Sequence, residues 1–393
     1  MKKILGGRKP GWAVLAIGIV SVSCIGLFVA LAVIPAVSPA AGAQVADALR
    51  AVLGPQPVAN IESVSFWMQD NINQFLSAHN GGKLQIALNQ GSVQSSTQQT
   101  STGLSNNTGA QTDAALKSDN AVTALPQIGW QAYGPTANGE PVMAQALQTL
   151  DPTRPYAGIA LVRIDLSKLQ LHMMPGFLEP SHTADVQHAF PNLGLMPASD
   201  QSRLIAAFNG GFKAVNGNYG MMVNGVTLLP PTTNIATIAI YRDGHLQIGA
   251  WGRDILPSSD ITAYRQNCPL ILQNGQLNPA VNVDNPIVWG QTIGNKEVTW
   301  RTAIGITEDG RYLIYAVGNG SSVETLAQAL QNAGAYNAMQ LDINRHYAHF
   351  VTYEPTGKTN PSLSAVQLLS EMESDRTIYL VAHSRDFFYL TTP

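Results

Sequence analysis

RLIAAFNGGFKAVNGNYGMMVNGV, residues 203–226, decides the fold class. Leu204 to Phe208 is a continuous apolar run of the length of a buried strand, and Asn209, Gly210 and Gly211 stop it. Adjacent glycines admit positive φ and close approach to the backbone, and successive N–H groups in such a turn form an anion-binding concavity. A tight turn without a ligand is the other reading of the same residues. Asn224-Gly225, set between Met221-Met222-Val223 and Val226-Thr227-Leu228, is the strongest short-range hairpin signal.

The same punctuation recurs outward from this stretch. Ile235 to Tyr241 and Leu246 to Trp251 flank Asp243-Gly244; Leu270 to Gln273 and Gln276-Leu277 flank Asn274-Gly275; Thr302 to Ile306 and Tyr312 to Val317 flank Asp309-Gly310. Each reads as a hairpin. Upstream, Val162, Ile164 and Leu166 alternate with Arg163, Asp165 and Ser167 as a half-buried strand. One helix interrupts the pattern: Ser321-Ser322-Val323-Glu324 caps it, Leu326, Ala327 and Leu330 share a face, and Gly334 ends it. A strand then leads through Ala338 to Leu341 into Asp342, and another spans His349 to Tyr353. Ser362 to Met372 is helical in pattern, and Thr377 to Ala382 and Phe387 to Leu390 read as strands. The expected fold class is α+β, a mixed, largely antiparallel β-sheet core with a few packed helices, preceded by an N-terminal transmembrane helix.

That helix is Trp12 to Val37, which carries no charge and exceeds the ~20 residues needed to cross a bilayer. Lys2, Lys3, Arg8 and Lys9 precede it, so residues 1–11 form a basic cytoplasmic tail and the carboxyl-terminal side is extracytoplasmic. A cleaved secretory signal ending at Ala41-Gly42-Ala43 is the alternative. Residues 44–89 read as a helical stalk, with Val45 to Leu53 and Ile61 to Leu76 split by Gly54-Pro55-Gln56-Pro57 and with Phe66, Trp67, Phe75 and Leu76 packed as its apolar side. Residues 90–123, rich in Ser, Gln, Thr, Asn and Gly, read as a disordered polar linker, and residues 124–393 as the exported domain.

The chain has 393 residues, 45% of them apolar, which is ample for a core, while only 12% are charged and the net charge is -3. Such a balance excludes a nucleic-acid partner. Its polarity comes from Asn, Gln, Ser and Thr, which suits neutral sugars. Cys24 lies in the expected span and Cys268 in the exported part, so no disulfide is expected, and Cys268 reads as a buried filler. His346 and His349 are three apart in a strand-like stretch, where side chains point to opposite faces, so neither a metal site nor a cofactor is expected.

Asn209-Gly210-Gly211-Phe212, then Arg301-Thr302-Ala303-Ile304-Gly305-Ile306, the Gly-ended helix Val323 to Gly334, and Ala338 to Asp342 follow one another in an order that resembles the phosphodiester glycosidase family. This is the family of the lysosomal uncovering enzyme and of bacterial relatives linked to exopolysaccharides. The resemblance covers roughly Tyr156 to Tyr389 and implies hydrolysis of a sugar-1-phosphodiester. Where the family commonly has Asp-Gly this chain has Asn319-Gly320, and in place of a glycine-rich turn after Asp342 it has Ile343-Asn344-Arg345-His346-Tyr347. Bulky residues there reshape or fill a cleft.

Breaking an anomeric C–O bond passes through an oxocarbenium-like state, and a departing phosphate needs stabilised negative charge. The resemblance therefore implies Asp342 as base or nucleophile, Arg301 as phosphate clamp, and Asn209, Gly210, Gly211 and Asn319 as binders of the carbohydrate or sugar-phosphate ligand. Structural readings stand beside these: Arg301 as a buried partner of carbonyls or of Asp342, Asp342 as a turn former, and Asn209 as a bridge across the Gly-Gly turn. The expected function is a membrane-anchored hydrolase of a sugar-1-phosphodiester or phosphate-linked envelope glycan. Its alternative is a non-catalytic polysaccharide-binding envelope protein of the same fold.

Overall fold

The computed structural model of the chain describes residues 38–79, 86–89, 128–180, 188–190, 192–282, 288–289, 298–356, 362–372 and 375–393. The expected anchor at 12–37 and the polar linker at 90–123 lie outside the described residues. Among the described residues no helix is long and apolar enough to cross a membrane.

In chain order the strands are β1 (Gln131–Ala132), β2 (Thr136–Ala137), β3 (Glu140–Pro141), β4 (Met143–Gln148), β5 (Ile159–Asp165), β6 (Gln170–Met174) and β7 (Leu204–Asn209). They continue as β8 (Met221–Val223), β9 (Val226–Leu229), β10 (Ala236–Tyr241), β11 (Leu246–Ala250), β12 (Ile261–Gln266), β13 (Leu270–Gln273) and β14 (Gln276–Leu277). The last are β15 (Thr299–Ile306), β16 (Tyr312–Ser321), β17 (Asn337–Gln340), β18 (Phe350–Thr356), β19 (Ser362–Gln367) and β20 (Phe387–Thr391).

Apart from the two-stranded pair β2-β3, they form a central sheet ordered β1-β4-β5-β16-β15-β17-β13-β14 and two further sheets, β11-β10-β12-β8-β9 and β19-β18-β7-β20-β6. The ladders of all three are antiparallel. Strand period explains why the central strands read as unbroken apolar runs. In β5, Ile159 and Leu161 face one core and Ala160, Val162 and Ile164 the other; in β16, Ile314 and Ala316 oppose Leu313, Tyr315 and Val317. The first face is covered by the helix Val323–Asn332 through Val323, Leu326, Ala327 and Leu330. The second is covered by both other sheets, through Phe208, Phe350 and Phe388 from one and Ile238, Ile240 and Ile248 from the other. Ser322 caps the helix by accepting from Thr325 N at 3.1 Å, and Gly334 ends it at φ 87°.

Two helices, Pro39–Leu53 and Pro55–His79, form an N-terminal hairpin around Gly54 at φ 82°. Ala46 and Val58 are its buried contact, and Arg50 clamps Glu62 at 2.6 Å through both carboxylate oxygens. The hairpin docks on the sheets at two points. Asp70 accepts from Arg154 at 2.6 and 2.8 Å and from the Tyr156 hydroxyl, and Asp47 pairs with Lys213.

Three expectations are corrected here. Ser362 to Met372 is not a helix: its first six residues are β19, paired along β18 from Val351↔Gln367 to Thr356↔Ser362. The open edge of β18 takes the segment, and tertiary pairing overrides a helical spacing. Thr377 to Ala382 is a set of turns rather than a strand, opened by Asp375 accepting from Thr377 N at 3.0 Å, with Tyr379 packed on Tyr353 and Phe387. Trp67, Phe75 and Leu76 do not pack: they are 65%, 63% and 43% exposed, because the hairpin contact runs along Val58 and Ile61 instead.

Candidate active site

β7, paired between β18 and β20, ends in Asn209 where its sheet meets the central sheet. Its side chain is spent on both neighbours. Nδ2 donates to Thr302 Oγ1 at 2.9 Å and to Gly210 O at 3.0 Å, while Oδ1 accepts from the buried Tyr315 hydroxyl at 3.0 Å. Thr302 in turn donates through Oγ1 to Asp342 O at 2.8 Å and through N at 2.9 Å. A buried polar network with every member satisfied is rigid, so the end of β7 and the end of β17 are held in fixed register.

The Gly-Gly turn is shaped by an ion pair. Asp386, directly before β20, accepts from Gly211 N at 3.2 Å through Oδ2 and from Gly210 N at 3.1 Å through its carbonyl. Arg265 Nε reaches the same Oδ2 at 2.9 Å, and both side chains are 2% exposed. A Cβ on Gly210 would lie 1.9 Å from Asp386 Oδ2, which is why that position is glycine. The Gly210 and Gly211 amides thus point at oxygens of Asp386, its carbonyl and its carboxylate, that the protein itself provides.

Asp342 follows β17 and is 5% exposed. Oδ1 accepts from Asn344 N at 2.8 Å, the turn that Asp favours, and Oδ2 accepts from Arg385 Nη2 at 2.8 Å. Arg385 Nη2 also donates to Gly211 O at 2.8 Å. The ring of Tyr347 lies 4.4 Å from the Arg385 guanidinium, within cation–π range, and Lys213 Nζ lies 5.7 Å from the same ring. Burial works against the charge of Arg385, but Asp342, Asp386, Tyr347 and Glu179 outweigh it and hold the guanidinium above its ordinary range. Burial pushes the Tyr347 phenol up against the opposing pull of Arg385. Arg385 is 5% exposed and its Nε has no hydrogen-bond partner among the described residues. A buried N–H left open beside a carboxylate costs about 1–3 kcal/mol, so the position is suited to an incoming acceptor.

Arg301, fully buried in β15, sits elsewhere in this frame. Its Nη1 donates to Gln340 Oε1 at 2.9 Å and Trp289 O at 3.1 Å, and its Nε to Ser321 O at 3.2 Å, while the guanidinium on Asp342 is that of Arg385. Asn319 falls with Gly320 in a bulge of β16, where Arg301 faces Gly318 and Thr299 faces Ser321, and its Oδ1 accepts from Gly158 N at 3.4 Å. Cys268 is buried, its thiol pushed up to about 12 by desolvation. Among the described residues no group of three or more His, Cys, Asp or Glu side chains is gathered as a metal would require.

Arg385, Asp386, Arg265 and Lys213 escaped the sequence reading. The available signal was Arg385-Asp386 directly before the aromatic run Phe387 to Tyr389, two opposite charges at a strand end in a charge-poor chain.

The sequence model of the phosphodiester glycosidase family matches residues 202–342, a span that holds Asn209, Gly210, Gly211, Arg301 and Asp342. No curated protein matches the chain in sequence. Among solved structures the chain is similar to the zebrafish N-acetylglucosamine-1-phosphodiester alpha-N-acetylglucosaminidase catalytic domain auto-inhibited by pro-peptide, at 17% identity, covering 67% of this chain and 87% of that one with a TM-score of 0.42. It is also similar to a hypothetical protein from Synechocystis at 13% identity, covering 69% of this chain and 64% of that one with a TM-score of 0.40. The family match is confined to residues 202–342, and over that span the chain resembles a divergent phosphodiester glycosidase.

Proposed function

We propose that the protein is a membrane-anchored, extracytoplasmic phosphodiester glycosidase that hydrolyses a sugar-1-phosphodiester, with Trp12 to Val37 as its single membrane span. The observation that carries the reading is Arg385: a buried guanidinium, fixed on Asp342 by one nitrogen, whose buried Nε has no partner among the described residues. Its planar fork suits a phosphate oxygen, and Lys213, 5.7 Å from the ring of the same Tyr347, adds a second cation. In the reaction the anomeric C–O bond breaks with its electron pair leaving on the phosphate. A water oxygen bonds to the anomeric carbon and Asp342 takes the water proton. Phosphate leaves without strong protonation, so one carboxylate and two cations are enough. The clamp role falls to Arg385, whereas Arg301, Asn209 and the Gly-Gly turn act in this reading as the frame that orients the Asp342 loop.

The full-length protein in detergent is assayed for free sugar on soluble sugar-1-phosphodiesters, beside Asp342→Asn and Arg385→Gln. Each variant is expected to lose about 10²–10⁴-fold in turnover. Wild-type protein that binds but never turns over these compounds sinks the hydrolase reading. That outcome supports the second one, a glycan-binding relative, which is favoured by Tyr347 lying over Arg385 where the family commonly has a glycine-rich turn.

A further inference from the structure

We propose that the substrate of this site is lipid-linked: a sugar-1-phosphodiester whose other ester carries a long alkyl or isoprenoid chain still seated in the bilayer. This rests on the phosphodiester glycosidase reading above and adds to it the class of the leaving group.

Two observations converge. The first is an apolar rim joined to both cations of the site. Phe177 N donates to His383 O at 3.0 Å and Leu178 N to Ser384 O at 3.2 Å, so this segment runs along the backbone that delivers Arg385. Gly176 makes the approach possible, since a Cβ there would lie 2.3 Å from Ser384 O and 2.5 Å from Arg385 Cα. Glu179 Oε2 accepts from Ala214 N at 3.2 Å, which ties the segment to the turn holding Lys213 and Val215. Phe177, Leu178 and Val215 are 43%, 62% and 72% exposed, apolar groups flanking Arg385 and Lys213. A phosphate on those cations would place its ester substituent over them. Cations beside an apolar rim complement a head that is anionic and a tail that is not.

The second observation is the position of the site along the chain. Lys213 pairs with Asp47, on the helix that Ser38 caps directly after the expected span ending at Val37. Nine residues of helix separate Ser38 from Asp47, about 14 Å at ~1.5 Å per residue. The headgroup layer on each side of a bilayer is itself roughly 5–8 Å deep. If Trp12 to Val37 spans the bilayer, this contact keeps Lys213 within about 14 Å, one helix rise, of the end of the span, near the membrane surface. A polar linker alone would not impose this height; the Asp47 contact does.

The test uses the full chain reconstituted in phosphatidylcholine vesicles, with two substrates of identical sugar and phosphate, one bearing a methyl aglycone and one a long saturated alkyl chain. The long-chain ester is expected to be preferred in kcat/KM by about 10²-fold or more, and Leu178→Ser and Val215→Ser to cut that preference by roughly tenfold each. Both substrates are read on one preparation, so any loss of folded protein cancels from the ratio. Equal turnover of the two esters in the wild type overturns the lipid inference and leaves the hydrolase standing, as does a preference that neither rim variant changes, which would reflect partition into the vesicle alone. Turnover of neither ester overturns the hydrolase reading and this inference with it.

Discussion

Gly210→Ala tests whether the Gly-Gly turn is a mould for an ion pair or an open cradle. At a glycine whose φ is not positive, alanine ordinarily stabilises a fold by about 0.4–1 kcal/mol, because the unfolded chain loses freedom. Here the added Cβ would lie 1.9 Å from Asp386 Oδ2, 2.6 Å from its Cγ and 2.7 Å from its carbonyl oxygen. Rotating the Asp386 side chain relieves the first two contacts and not the third, which is backbone. The carboxylate must retreat, and with it go the 2.9 Å bond to Arg265 Nε and the 3.2 Å bond from Gly211 N. Separating a buried ion pair leaves an uncompensated charge and costs about 3–5 kcal/mol. At an m-value of about 3 kcal/mol/M, that lowers the urea midpoint by roughly 1–1.7 M. Gly211→Ala, whose Cβ would meet the Arg265 guanidinium at 3.1 Å, is expected to cost much less, since a guanidinium can shift by a few tenths of an ångström. A Gly210→Ala midpoint equal to or above the wild type would refute the mould.

Three further outcomes are expected. Burial holds the His383 and His172 imidazoles below their ordinary range, so between the unfolded value of about 6.5 and the lower folded values the unfolded chain binds protons that the folded one refuses. Stability is then complete above about pH 6.5 and declines as the pH falls below it; urea midpoints measured across that range should show the slope, and His172→Gln should flatten part of it. Asp70→Ala removes the partner of Arg154 and Tyr156, and limited proteolysis is expected to release the N-terminal hairpin, with a stability loss of about 1–3 kcal/mol because Asp151 still holds Arg154 at 2.6 Å. Cys268, with its thiol pushed up to about 12, should resist alkylation in the native protein and react once urea unfolds it; native modification at the unfolded rate contradicts its burial.

Local chemistry made the hairpins legible. Asn224-Gly225 and Asn274-Gly275 take φ of 49° and 77°, and 50° and 72°, the two consecutive positive angles that Asn-Gly accepts and most pairs do not. The helix at Val323 was legible for the same reason, since its cap, its apolar face and its terminal glycine lie within one short segment. Ser362 to Gln367 was not, because Leu363 and Val366 satisfy a helical spacing while Leu363 and Ala365 satisfy a strand, and only the free edge of β18 chooses between them. Asp342 was visible at a strand end, but its guanidinium partner lies 43 residues further on in sequence, beyond any pattern that a local reading can use.

The division of labour among the site's polar groups follows from burial. Asn209, Thr302 and Tyr315 are deep in the core, and a polar atom there must be paired, so all three bond to one another or to backbone and bind the sheet of β7 to the central sheet. Arg301 and Arg265 are buried as completely and meet protein acceptors on the same terms. Arg385 differs. It spends one nitrogen on Asp342 and Gly211 O, stacks against Tyr347, and keeps Nε open in a place where an open donor is costly. A fold that satisfies the buried guanidiniums of Arg301 and Arg265 with carbonyls, an amide and a carboxylate has acceptors at hand. Leaving this donor unpaired beside a carboxylate at a strand end, with a second cation near the same tyrosine ring, is the arrangement that a phosphate completes.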